Sequence, residues 1–380
     1  MRNVEHLLPS FLGRQRWFAG PEPEKVVVVD DDEIVPGLQW MVVEADGARY
    51  QVVVGLRPAD PPPEYLHGHE QAVLGPVEDA LAFDATVDPE YAKALLHRLL
   101  PDEHVEHVRP MGVEQSNTSL VCDDRLVLKL FRRLPGGPNP DVAVPAALAE
   151  AGFAHVAEPL ATWAYDDDHL AVVQPFLAGG AEGWALALAS LRDLYAAECD
   201  PAEAGGDFAA ESARLGEITA RMHVAMAAAF GVEGEGIRVH GDYHLGQVLR
   251  TDVGWFVLDF EGEPLRPLEQ RTAPSSPYKD VAGMLRSFHY ASQVALLERD
   301  ESERQPLAVL AEAWEQRNRA AFLDGYHGVD GIDELLPRDR DPQLTAHELE
   351  KAEYELAYER AHRPDWEWIP QAAIRRLQQG

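Results

Sequence analysis

Strand-like apolar runs dominate the chain as far as Ala178, and helical spacing of apolar residues dominates beyond it. A short amphipathic stretch at the start ends in Gln15-Arg16-Trp17-Phe18-Ala19-Gly20. The pattern then predicts strands over residues 25–29, 38–44 and 50–56, with Asp46-Gly47 between the last two as a hairpin signal. Pro61-Pro62-Pro63 interrupts any regular element. From residue 89 the pattern predicts a helix over 89–100, strands over 105–110, 119–122 and 126–131, a helix over 142–151, and a hairpin through 159–163 and 169–176. Helices follow over 184–197, 209–230, 281–299, 307–326 and 345–360, interrupted by short strands over 248–250 and 255–258. The expected class is α+β, divided into residues 1–88, a small mixed lobe over 89–177, and a helical lobe over 178–380 that carries one hairpin.

A chain of 380 residues predicts two or three packed units with sizeable cores. Cys122 and Cys199 have no paired spacing and no histidines arranged around them, which argues against a disulfide framework or structural zinc and fits a reducing cytoplasm. The first residues lack a basic region followed by an apolar core, and no apolar run is long enough to span a bilayer, so a soluble, unanchored protein is expected. The formal net charge of −32 argues against nucleic acid or an anionic membrane as partner, because both require a broad basic surface. Only five lysines occur, so binding a polyphosphate requires that the few cations be concentrated locally or that magnesium be recruited.

Phosphoryl transfer needs a carboxylate beside the attacking hydroxyl, oxygen ligands for magnesium, and a cation on the nucleotide phosphates. These occur in the expected order. Asp242, in His240-Gly241-Asp242-Tyr243-His244-Leu245-Gly246-Gln247, is the candidate base. Gln247, five residues on, is placed to return an amide oxygen to the metal. Asp259 follows a strand and brings a second oxygen to the same ion, with Glu261 assisting or bracing. An isolated His-Gly-Asp would read as a surface turn; the ordered set after a mixed lobe reads as the two-lobed kinase plan.

Lys129 stands alone in the apolar run Val127-Leu128-Lys129-Leu130-Phe131, where burial without an anion is costly, so it is assigned to ATP phosphates; a lysine snorkelling from an edge strand is the structural alternative. The preceding turn, residues 112–119, offers Ser116, Asn117, Thr118 and Ser119 as further phosphate-binding donors, although such residues also fill ordinary turns. Backbone groups near Gln174 and Phe176, at the end of a strand that leads into the helical lobe, are assigned to adenine, although a strand simply packed in the core would look the same in sequence.

These residues resemble the maltokinase-like branch of the aminoglycoside phosphotransferase and eukaryotic-type kinase superfamily. The marks are Arg16-Trp17-Phe18-Ala19-Gly20, residues 240–249, Leu258-Asp259-Phe260-Glu261-Gly262-Glu263-Pro264, residues 276–287, and a terminal block over 354–370. The resemblance covers nearly the whole chain. It implies an N-terminal cap subdomain over 1–88 fused to the small lobe, and late helices that line a sugar pocket. Members phosphorylate sugars with ATP and Mg2+: maltose at the anomeric hydroxyl, or glucosamine at the 6-hydroxyl in a related group.

Two departures guide the choice of acceptor. Asn139-Pro140-Asp141-Val142-Ala143 lacks at Ala143 the glutamate that usually partners the lysine, leaving Asp141 or Glu150 to replace it. The terminal block adds carboxylates at Glu353, Asp365 and Glu367, which favour a protonated amino sugar through charge-assisted hydrogen bonds. Solvated surface residues are the bland alternative in a chain with 65 acidic residues. Asp242 and His244, with Tyr354, Tyr358 and Trp366 or Trp368, complete the expected sugar site, the aromatic residues serving equally well as core. Glucosamine 6-phosphate is the expected product. The alternatives are maltose 1-phosphate, an aminoglycoside acceptor, a pseudokinase that only binds a partner, and an acidic scaffold that binds no nucleotide.

Overall fold

The computed structural model describes residues 3–18, 20–112, 116–263, 266–336 and 341–379. Ala19, Val113, Glu114, Gln115 and Pro264, which belong to the sequence marks above, lie outside the described residues. Its contacts divide the chain into two units, Met1–Ala143 with Ala157–Ala178 and Val144–Val156 with Gly179–Gly380.

In the first unit, α1 (Leu8–Leu12) precedes β1 (Val26–Val35), β2 (Leu38–Ala45), β3 (Ala48–Pro58), β4 (Val73–Val77) and β5 (Ala80–Asp84). Then come α2 (Pro89–Leu99), β6 (Val108–Pro110), β7 (Asn117–Cys122), β8 (Leu126–Phe131), β9 (Arg133–Leu134), α3 (Pro140–Glu150), which runs on into the second unit from Val144, β10 (Ala161–Tyr165) and β11 (Asp168–Pro175). The first sheet has the order β1-β2-β3-β5-β4 with β9 also paired to β3, and the second β10-β11-β8-β7-β6. The hairpin at Asp46-Gly47 forms with both residues at positive φ, the geometry that matches strand twist. The β4–β5 pair escapes the sequence pattern because Pro76 reads as a breaker. It is tolerated because β4 is an edge strand, where a missing N–H leaves no ladder bond unmade.

Strand β2 is apolar at nearly every position because both of its faces are covered. Leu38, Trp40 and Val42 pack in a core with Leu95 of α2 and Leu128 and Leu130 of β8. The intervening Met41, Val43 and Ala45 pack with Leu8, Phe11 and Phe18. This is the two-residue period of a strand serving two cores at once.

In the second unit, β12 (Ala181–Glu182), α4 (Gly183–Ala197), α5 (Ala209–Phe230), β13 (Val232–Glu233) and β14 (Gly236–Ile237) lead to the hairpin of β15 (Val248–Thr251) and β16 (Gly254–Val257). The rest is helical: α6 (Leu268–Thr272), α7 (Tyr278–Leu297), α8 (Glu301–His327), α9 (Ile332–Leu335), α10 (Asp341–His362) and α11 (Trp368–Gln379). Leu215, Met222 and Met226 of α5 interlock with Met284, Leu285 and Phe288 of α7 and with Trp314 and Phe322 of α8, following helical spacing. Among the described residues no helix is long and apolar enough to cross a membrane.

Candidate active site

The loop from His240 to Gln247 is held from beneath by Asp280, on the first turn of α7. The Asp280 side chain is wholly buried and accepts hydrogen bonds from the backbone N–H of His240 (2.8 Å) and Gly241 (2.8 Å) and from His223 Nε2 (3.0 Å). Burial by itself would raise its pKa; these donors and the nearby imidazoles reverse that and hold the carboxyl below its usual range. Gly241 supplies the positive φ of +88° that turns the loop. Gly283, one turn along α7, lets the helix touch the loop, since a Cβ there would lie 2.5 Å from the Tyr243 carbonyl oxygen. Asp280→Asn keeps the shape but faces three N–H donors with one acceptor oxygen. A loss of roughly 3 kcal/mol in chemical denaturation is expected, together with a fall in turnover.

His240 ties this loop to the hairpin, its Nε2 lying 2.9 Å from the Leu258 carbonyl oxygen. Asp259 follows with φ +58°, and Gln247 Nε2 donates to Asp259 Oδ2 at 3.0 Å. The structure therefore brings Gln247 and Asp259 together at the end of the hairpin, with Glu261 two residues further on.

Above the loop lies a cavity of about 470 Å³ in the second unit. Asp242, His244, Trp184, Tyr290, Tyr354 and Trp366 are among its walls. Lys351, Tyr354, Glu355, Tyr358 and Glu359 of α10 also line it, at the i, i+3, i+4, i+7, i+8 spacing that puts them on one helix face. Lys351 Nζ donates to Asp242 Oδ1 at 2.9 Å and to Glu263 Oε1 at 3.1 Å. Burial favours the neutral form of Asp242, but the Lys351 ammonium outweighs it, with His244 and His240 adding to the effect, and holds the pKa down at about 2. The same partnership raises the Lys351 pKa although burial opposes it. Burial keeps His244 below its usual pKa; its Nδ1 accepts from the Gly246 N–H (3.0 Å), which leaves the proton on Nε2.

The carboxylates of the cavity are mostly spoken for. Glu355 accepts from Arg286 Nε (3.0 Å) and Nη2 (2.7 Å). Glu359 accepts from Arg363 Nη2 (2.7 Å) and Nε (2.9 Å) and from the Tyr290 hydroxyl (3.2 Å). Glu182, at the N-terminal cap of α4, lines the cavity with no side-chain capping bond, and no cation pairs with it among the described residues.

In the first unit Lys129 is 13% exposed and pairs with Asp141 Oδ2 at 2.7 Å. Asn139 caps α3 by accepting from the Asp141 N–H (2.9 Å), and Pro140 takes the first helical position, so Asp141 is locally fixed for that pairing. Of the two replacements for the missing glutamate at Ala143, the structure selects Asp141; Glu150 is exposed at the far end of α3. Ser119 lies opposite Lys129 in the β7–β8 register, with Asn117 and Thr118 on the same strand and Ser116 just before it. Gln174 pairs with Val127 near the end of β11. Phe176 uses both of its backbone groups internally: its N–H donates to the Arg125 carbonyl (2.8 Å) and its carbonyl accepts from Ala178 (3.0 Å).

Residues 11–88 match the family model described as the maltokinase N-terminal cap domain. A glucosamine kinase of Mycolicibacterium smegmatis (strain ATCC 700084 / mc(2)155) is 30% identical over 319 residues, which span 70% of this chain and 78% of that protein. The chain belongs to the glucosamine kinase family. A second member, from Streptacidiphilus jiangxiensis, is 29% identical over 328 residues, 70% of this chain and 72% of that protein. Among solved structures, a glucosamine kinase in complex with glucosamine, ADP and inorganic phosphate aligns with a TM-score of 0.68 at 23% identity, covering 99% of each chain. A crystal form of a glucosamine kinase aligns with a TM-score of 0.69, covering 99% of this chain and 98% of that one. The α+β fold expected from the sequence is the glucosamine kinase fold.

Within this glucosamine kinase family frame, the structure regroups the acceptor-site residues. Asp242, His244, Tyr354, Tyr358 and Trp366 share one cavity. Glu353, Asp365 and Glu367 do not line it: Glu353 and Asp365 are exposed, and Glu367 accepts from Arg360 (2.9 Å) and Gln371. One position along a helix rotates a side chain by about 100°, so Glu353 faces away from the wall that Tyr354 and Glu355 share. The signal for Glu355, Glu359 and Lys351 was the helical period running through Tyr354 and Tyr358. Glu182 and Asp280 carried no comparable signal.

Proposed function

We propose that this chain transfers the γ-phosphoryl group of ATP to the 6-hydroxyl of glucosamine. The observation that carries the reading is Asp242, ionised and oriented by Lys351, at the wall of a sugar-sized cavity that also carries Glu182, a carboxylate with no cation beside it among the described residues. Asp242, Glu355 and Glu359 each already hold a cation, so Glu182 is the group left to attract a protonated amine. Tyr354, Tyr358 and Trp366 are the rings of this wall available to a sugar, each with a neighbour already on it: Lys351, His362 and Arg363 respectively.

In the reaction Asp242 accepts a hydrogen bond from the attacking hydroxyl and takes its proton as the oxygen bonds to phosphorus and ADP departs. Lys351 keeps the carboxylate anionic and fixes its direction. His244 donates through Nε2 to a second sugar oxygen. In the first unit Lys129, held by Asp141, supplies the cation for nucleotide phosphates, with Ser116, Asn117, Thr118 and Ser119 as further donors. With Phe176 committed internally, adenine recognition falls to the backbone beside Gln174 and to Leu177, whose N–H has no backbone partner among the described residues.

Gln247, Asp259 and Glu261 offer hard oxygens, and the Gln247–Asp259 contact brings the first two within hydrogen-bond reach of each other, a donor set that fits Mg2+. Bound there, the ion would offset charge on the transferring phosphoryl group. A cytoplasmic setting, with its ATP supply, suits the free thiols of Cys122 and Cys199.

The test is a coupled ADP-release assay with glucosamine, glucose, maltose and kanamycin, followed by NMR of the product. Glucosamine should give the highest kcat/KM and a 6-phosphate; faster turnover of maltose would overturn the reading. Glu182→Gln should raise KM for glucosamine by about tenfold or less, the range of one charge-assisted hydrogen bond at an exposed carboxylate, and leave KM for glucose unmoved.

A further inference from the structure

The first unit contains a second cavity, of about 620 Å³; Asn117, Thr118 and Ser119, assigned above to nucleotide phosphates, form part of its wall, but its arginines have no role in the phosphoryl-transfer reading. Its walls bring together Arg14, Gln15, Arg16 and Trp17 of the N-terminal segment, Thr118 of β7, and Arg132 between β8 and β9. The volume falls in the range of small-molecule sites.

The charge of this cavity is opposite to that of the protein. Among the described residues, its wall carries three guanidinium groups, Arg14, Arg16 and Arg132, and one carboxylate, Asp84, in a chain of net charge −32. Asp84 is already committed, accepting from Arg132 Nη2 (2.7 Å), from the Thr86 N–H (3.0 Å) and from the Thr86 hydroxyl (2.7 Å). Arg132 is 1% exposed and is held in place by Asp84 and by Thr118 Oγ1, which accepts from Nε at 2.9 Å. Its Nη1 has no hydrogen-bond partner among the described residues, and Trp17 lies against the guanidinium with its ring centroid 5.2 Å from Cζ. A buried donor in this state gains more than an exposed one from an acceptor oxygen that reaches it. Arg14 is anchored through Ser10 and Val73 carbonyls, which orient the side chain without cancelling its charge. Arg16 has no ion pair among the described residues.

We propose that this cavity is a binding site for a small phosphate ester of sugar size. Arg14, Arg16 and Arg132 recognise the phosphate, since guanidinium groups match its oxygens in pairs. Trp17, Gln15 and Gln71 contact the organic part through an aromatic face and amide groups. The cavity is far larger than a bare oxyanion needs, which selects an ester over inorganic phosphate. In the β7–β8 register Thr118 is paired with Leu130 and Ser119 with Lys129, so the cavity shares strand β7 with the segment that faces Lys129. A ligand there restrains that strand and therefore acts on nucleotide affinity.

The experiment is isothermal titration of the full chain with its nucleotide site saturated by Mg2+ and a non-hydrolysable ATP analogue. Glucosamine 6-phosphate, glucose 6-phosphate, inorganic phosphate and glucose are titrated separately into wild type and into Arg14→Ala/Arg16→Ala. To keep the acceptor cavity from reporting, the series is repeated in Asp242→Asn/Tyr354→Ala. The expected result is a sugar phosphate that binds wild type and the acceptor-site variant alike, at least tenfold more tightly than inorganic phosphate. It should lose at least tenfold in the arginine variant, whose basal kcat and melting temperature stay at the wild-type level. Three outcomes overturn the proposal: equal binding to the arginine variant, loss of binding in the acceptor-site variant, or inorganic phosphate binding as tightly as the ester. The acceptor reading stands or falls separately on the sugar panel.

Discussion

Asp242→Asn is expected to reduce kcat by about 10²–10⁴-fold, the usual contribution of a positioned general base, while Mg-ATP binding persists. The amide cannot take the proton of the sugar hydroxyl, and it removes the anion that Lys351 and the two neighbouring imidazoles of His240 and His244 are arranged around. Steady-state kinetics with glucosamine and nucleotide titration on the same sample separate the two effects. Near wild-type turnover in this variant would falsify the assignment of the base. The wild-type pH profile carries a second check. Because the Asp242 pKa is depressed to about 2, the carboxylate is ionised throughout the ordinary working range, so no acidic limb near pH 4 should arise from it. The sign for stability follows the same direction. The Asp242–Lys351 pair contributes fully above the unfolded carboxyl pKa of about 3.9, and the contribution is lost as pH falls toward 2.

Lys351→Met should have the next largest effect, on both stability and rate. The substitution fills similar volume but leaves Asp242, at 22% exposure, without its ammonium beside Glu263, which is 2% exposed and keeps Arg266 and Lys279. Breaking a buried pair costs about 3–5 kcal/mol, and the partial exposure of Asp242 places the expectation near the lower figure. In the rate, a base that has lost its fixed direction is expected to cost about 10–100-fold in kcat, the scale of a small misplacement at the reacting centre. The pH profile distinguishes this from simple unfolding. Without the ammonium, burial governs Asp242 and its pKa rises, so an acidic limb absent from wild type should appear in the folded variant. Lys351→Arg, which retains the charge, should recover much of the loss. A variant that is slower but has an unchanged pH profile would contradict the positioning role.

Much of the fold was legible because strand and helix periods leave different marks. The hairpin at Asp46-Gly47 and the helix over 209–230 follow directly from turn chemistry and from a 3.6-residue repeat. The β4–β5 pair was not legible, since a proline on an edge strand looks the same in sequence as a proline that ends one. The N-terminal mark Arg16-Trp17 was visible as a resemblance but carried no chemistry until Arg132, more than a hundred residues later, was seen against Trp17.

By itself the sequence determined the order of the chemical groups: a lone lysine in an apolar strand, then Asp242, Gln247 and Asp259 at loop and hairpin spacing. Those relations are local, so backbone geometry within a few residues is enough to imply them. The tertiary structure decided the partners. Lys129 meets Asp141 because an Asn-Pro start orients the first turn of α3. Asp242 meets Lys351, 109 positions away, because α10 lays one face over the catalytic loop. The same helix face decided which acidic residues reach the acceptor, taking Glu355 and Glu359 and turning Glu353 outward. In a chain with 65 acidic residues, composition cannot rank carboxylates; burial and the nearest cation can, because they set which charge is left for a substrate to neutralise.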